Sequence, residues 1–122
     1  MIAVVDDDES VRDAVTSLLK SFGYRAVPFE GAADFLNSTD LNNTACLVAD
    51  VQMPGMTGPD LQLHLVTSGR PIPTILITAY PDQTVRARAF RNGVRCYLTK
   101  PFLDEELLSC VRSAIDTQAS DG

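Results

Sequence analysis

The chain has 122 residues, 45% of them hydrophobic and 21% charged, the make-up of one globular domain with a core of its own. Ten Lys and Arg against sixteen Asp and Glu leave a formal net charge of −6, which argues against direct binding of nucleic acid by this domain. No apolar run is long enough to span a membrane and no signal-peptide pattern opens the sequence, so no membrane contact and a cytoplasmic location are expected.

In chain order, Ile2-Ala3-Val4-Val5 reads as a buried strand that runs into Asp6-Asp7-Asp8. Asp8 is placed to cap a helix whose apolar stripe is Val11, Ala14, Val15, Leu18, Leu19 and Phe22, with Gly23 as its stop. A second strand is expected over Tyr24 to Pro28 and a short helix over Ala32 to Asn37; the polar stretch Ser38 to Thr44 reads as loop. Cys46-Leu47-Val48-Ala49 is a third strand, and it stops at Asp50 before a loop rich in Pro and Gly. A third helix follows Gly58, with Pro59 in its first turn and Leu61 and Leu65 inward; His64 is expected to be an ordinary helix residue. Thr74-Ile75-Leu76-Ile77 runs into Thr78. A fourth helix is expected from Pro81 to Gly93, with Val85, Ala89 and Phe90 as its apolar side. Cys96-Tyr97-Leu98-Thr99 stops at Lys100-Pro101, and a fifth helix opens on Asp104, Glu105 and Glu106, acids that suit its positive end, and buries Leu107, Leu108, Val111 and Ile115. Residues 1–116 read as the domain and 117–122 as a tail or the start of a linker. Cys46, Cys96 and Cys110 have no CxxC spacing and are expected to be reduced packing residues.

Strand and helix alternate five times, which implies βαβ units and a parallel sheet. The acids, the hydroxyl of Thr78 and the ammonium of Lys100 then share the carboxyl edge, where such sheets bind ligands. Carboxylates within about 5 Å of one another repel by roughly 3 kcal/mol per pair at an effective dielectric of ~20, so the cluster calls for a cation. An all-oxygen donor set favours Mg²⁺ or Mn²⁺. Such an ion would remove the repulsion between a phosphate dianion and a carboxylate nucleophile, which makes the constellation suited to phosphoryl transfer onto Asp50. A phosphatase of the haloacid dehalogenase type would need a second Asp where Gln52 stands. A flavin module would meet repulsion from Asp6-Asp7-Asp8.

The set Val4-Val5-Asp6-Asp7, Asp50 with Met53-Pro54 and Gly58, Thr78-Ala79 and Lys100-Pro101-Phe102 resembles the receiver domain of two-component response regulators, and is most similar to FixJ-type transcriptional regulators. The resemblance implies a flavodoxin-like, doubly wound fold with five parallel strands in the order 2-1-3-4-5. It implies Asp50 as phosphoacceptor from a sensor histidine kinase, in a switch protein that is not a metabolic enzyme. Mg²⁺ would be held by Asp7, Asp50 and the main-chain carbonyl of Gln52, with Asp6 acting through water. Thr78 would be the switch hydroxyl, Tyr97 the switch aromatic and Lys100 a phosphoryl contact. The Lys100-Pro101 bond is expected to be cis. Tyr80 and Pro81 depart from the common pattern and bear on the lifetime of the phosphorylated state. A two-fold dimer on phosphorylation, through helix four, strand five and helix five, is expected to set Arg86, Arg88, Arg91 and Arg95 against Asp104, Glu105 and Glu106.

Overall fold

In a computed structural model the chain is described over residues 1–120, with side chains described through 116. Five parallel strands, β1 (Ile2–Val5), β2 (Ala26–Phe29), β3 (Cys46–Asp50), β4 (Thr74–Thr78) and β5 (Cys96–Thr99), form one sheet in the order β2-β1-β3-β4-β5. Five helices, α1 (Glu9–Ser21), α2 (Ala32–Leu36), α3 (Gly58–Thr67), α4 (Gln83–Arg91) and α5 (Asp104–Ser120), connect or follow the strands. The doubly wound arrangement is the one expected. A 3-10 turn, Leu41–Asn43, lies inside the stretch expected to be loop.

Side chains alternate across each strand, so the central strands feed two cores. Ile2, Val4, Val48, Ile75 and Ile77 meet Val15 and Leu19 of α1 and Leu107, Val111 and Ala114 of α5. Ala3, Val5, Leu47, Ala49 and Leu76 meet Phe35 of α2, Leu61 and Leu65 of α3, and Ala89 of α4. Helix starts follow local chemistry. Asp8 accepts from the amides of Ser10 and Val11, as expected. Thr57 and Asp60 form a reciprocal cap at α3.

Several boundaries and faces differ from expectation. The second strand begins at Ala26, because pairing with β1 decides its extent and Tyr24 belongs to the turn after α1. α4 begins at Gln83, since Asp82, not Pro81, supplies the capping oxygen, to the amides of Thr84 and Val85. Ala14, Phe22 and Phe90 are exposed, although their spacing put them on apolar stripes. Phe22 lies just past the helix end, and Phe90 is covered on one ring face by the Arg86 guanidinium, 4.8 Å from its centre.

The cysteines require the largest correction. Cys96 of β5 and Cys110 of α5 are joined as a disulfide, with Cα atoms 6.2 Å apart, where two reduced residues were expected. Packing of α5 across the end strand brings together residues 14 apart in sequence. Cys46 is free and fully buried, as expected of a packing residue, and burial pushes its thiol up to about 12. α5 runs on to Ser120, into the stretch read as a tail; side chains of 117–120 and all of 121–122 lie outside the described residues. Among the described residues no helix is long and apolar enough to cross a membrane.

Candidate functional site

Parallel strands end together at one edge, so the residues that terminate β1, β3, β4 and β5 become neighbours. Asp6, Asp7 and Asp50 each offer a carboxylate oxygen, and the three oxygens lie within 4.8 Å of one another. Asp6 and Asp50 are buried and Asp7 is exposed. Lys100 reaches across from the end of β5, with Nζ 3.4 Å from Asp6 Oδ2 and 3.3 Å from Asp50 Oδ2. The Lys100–Pro101 peptide bond is cis.

The two buried acids each accept from a backbone amide. Asp6 Oδ1 accepts from the Asp8 amide at 2.9 Å, and Arg12 Nη1 donates to the Asp6 carbonyl at 2.8 Å. Asp50 Oδ1 accepts from the Gln52 amide at 3.2 Å. Burial raises the Asp6 carboxyl above its ordinary value; the Asp8 amide opposes that, the Asp50 charge adds to it, and Lys100 opposes it. A buried acid so destabilised as an anion, with one ammonium facing two carboxylates, is a donor set that a divalent cation fits.

Gly58 places the floor of the site. A Cβ there would sit 2.4 Å from the Asp50 carbonyl oxygen and 3.0 Å from Leu76 Cδ2, so α3 can begin this close to β3 only with glycine.

The hydroxyl half of the site is tied differently. Thr78 is fully buried, its Oγ1 donates to Gln52 Oε1 at 2.8 Å and accepts from the Tyr80 amide at 3.0 Å. Tyr97 is half-buried, and its Oη accepts from the Asp82 amide at 3.2 Å. Both of these side-chain contacts link a loop to a strand that sequence reasoning had left separate. Gln52 was singled out for its carbonyl alone, and Asp82 was not singled out; their partners lie 26 and 15 residues away, beyond the reach of any local signal. Tyr80 is exposed. His64 is exposed on α3, away from any role here. Beside Lys100 an apolar groove of about 470 Å³ runs between α1 and the start of α5, lined by Val11, Ala14, Leu18, Pro101 and Phe102.

Residues 2–112 match the family model described as the response regulator receiver domain. The chain belongs to that family. Receivers of this kind are parts of two-component systems, and this one is 39% identical over 115 residues to the response regulator protein TmoT of Ectopseudomonas mendocina, covering 94% of the chain and 52% of the relative. It is 34% identical over 114 residues to the transcriptional regulatory protein FixJ of Bradyrhizobium diazoefficiens, covering 93% and 56% respectively. The solved structure of the response regulator StyR superposes with a TM-score of 0.90 at 37% identity, over 98% of this receiver and 61% of that chain. The receiver thus spans about half the length of the curated relatives it matches.

Proposed function

We propose that this receiver accepts a phosphoryl group on Asp50 from the phosphohistidine of a sensor histidine kinase, and that the modified form alters its α4–β5–α5 face to control dimerisation and a transcriptional output. The observation that carries the reading is the convergence of Asp50, Lys100 and the Asp6–Asp7 pair on one point at the sheet edge. Mg²⁺, or Mn²⁺, would be held by the carboxylates of Asp7 and Asp50 and the main-chain carbonyl of Gln52, with Asp6 acting through water. When bound, the ion supplies the positive charge that lets a phosphoryl dianion approach the acids.

An Asp50 carboxylate oxygen attacks phosphorus as the phosphorus–nitrogen bond to the kinase histidine breaks. Lys100, already within 3.3 Å of Asp50, turns to the phosphoryl oxygens. Thr78 must leave Gln52 Oε1 to donate to the same group. That vacates space on the β4 side, and Tyr97 can turn inward only by giving up the Asp82 amide at the start of α4. The phosphoryl group therefore acts on α4 through two hydrogen bonds. The two states need differ by only a few kcal/mol for the modification to shift the balance. Slow hydrolysis of the acyl phosphate would reset the switch.

The groove beside Lys100 suits the helix of the kinase that carries its histidine. For the dimer, Arg86, Arg88, Arg91 and Arg95 are exposed, as are Asp104, Glu105 and Glu106. No ion pair joins these two groups within the chain among the described residues. A two-fold contact would use each basic–acidic pairing twice, fixing register more than supplying affinity. In this reading residues 1–116 are the receiver, and the protein works in the cytoplasm without binding nucleic acid through this domain.

Incubation with acetyl phosphate and Mg²⁺ should add one phosphoryl mass, removed by the Asp50→Asn substitution. Wild-type protein labelled at another residue, or not at all, would end this reading.

A further inference from the structure

Cys96 and Cys110 lie outside the charged site, yet their bond encloses part of it. The segment between them contains Tyr97, Lys100 and the first turn of α5. Tethering both ends of so short a segment removes much of its freedom to leave the sheet. Both cysteines are half-buried at the edge of the core shared by α1 and α5, not sealed in it as Cys46 is. The third cysteine cannot interfere. Cys46 is fully buried, and its thiol is pushed up to about 12, which leaves almost no thiolate to exchange. Pairing is therefore confined to one partner for each sulfur.

We propose that Cys96 and Cys110 are a reversible thiol–disulfide modification site, oxidised by a low-molecular-weight disulfide and reduced by a dithiol. Oxidation runs by attack of either thiolate on the co-reactant disulfide, giving a mixed disulfide and one released thiol. The second cysteine thiolate then displaces the other half. Two receiver thiols become one disulfide, and the co-reactant disulfide becomes two thiols, so two electrons and two protons pass to it. The effect on signalling rests on the proposed phosphorylation of Asp50. The oxidised pair holds Lys100 and Tyr97 at the sheet edge, and reduction loosens the segment that presents them.

The bond itself is tested without phosphorylation. The whole protein is equilibrated in glutathione buffers from fully reduced to fully oxidised, trapped with maleimide and weighed. Two reactive thiols should appear together on reduction and vanish together on oxidation, with Cys46 labelled only after unfolding. Reduction should lower the midpoint of thermal unfolding by roughly 10 °C, and Cys96→Ser, Cys110→Ser and the double variant should match the reduced protein. A pair that stays unlinked in every buffer, or resists reduction by an excess of dithiol, overturns the proposal. So does glutathione left as a mixed adduct on either residue. The signalling effect is then read as the rate of labelling by acetyl phosphate, expected to fall on the order of fivefold on reduction and in the double variant. Equal rates in both redox states overturn the coupling. Absence of labelling in both states, with the thiol assay as expected, counts against phosphorylation and not against the modification site.

Discussion

α4 and α5 flank the same end strand, but the fold holds them very differently. α5 buries Leu107, Leu108, Val111 and Ala114 and is linked to β5 through Cys110. Among the described residues α4 buries Ala89 fully and Val85 partly, and its start leans on Tyr97 through the Asp82 amide. Apolar area buried sets the cost of moving a helix, at about 25 cal/mol per Å². The difference is a division of labour: α5 anchors β5, while α4 buries little and meets the site through the Asp82–Tyr97 hydrogen bond at its start.

Truncation should separate the two helices. Leu107→Ala empties a fully buried position on the anchoring side and should cost about 3 kcal/mol in urea unfolding, within the range of ~2–5 for such changes. A cost below about 1 kcal/mol would break the comparison. Gly58→Ala strikes the floor between the helical layer and Asp50, where the new methyl would meet backbone 2.4 Å away. Its expected cost is about 2 kcal/mol, with impaired labelling of Asp50 by acetyl phosphate. Unchanged stability and labelling would mean that α3 gives way easily. Val85→Ala, on the loosely held helix, should cost about 1 kcal/mol or less, because the side chain is only partly buried.

What the sequence made legible follows the range of each signal. β1, β3 and β4 were readable because fully buried parallel strands appear as continuous apolar runs, and β5, a partly buried edge strand, because its short run stops at Lys100-Pro101; in each, the polar residue that ends the run sits next to it in the chain. For the same reason Asp6, Asp7, Asp50, Thr78 and Lys100 were legible as neighbours, since a parallel sheet forces strand ends together. The Asp8 cap was readable as a local hydrogen bond. Contacts made only by packing were not. Ala14 and Phe22 continue the helical stripe of α1, but spacing cannot say where the neighbouring element stops covering it. The Gln52–Thr78 and Asp82–Tyr97 bonds each join a loop to a strand that it meets only in the folded chain. The Cys96–Cys110 bond joins a strand to the helix lying over it, with no spacing motif to mark it.

The central claim is that a phosphoryl group on Asp50 acts on α4 while α5 stays fixed. Amide hydrogen exchange with and without beryllofluoride and Mg²⁺ reads this directly, since the complex mimics the phosphoryl group. The account predicts exchange in α4 and the loop before it changing by about tenfold or more, a free-energy change of ~1.4 kcal/mol, with α5 changing much less. A uniform change across both helices, or none in α4, would contradict it.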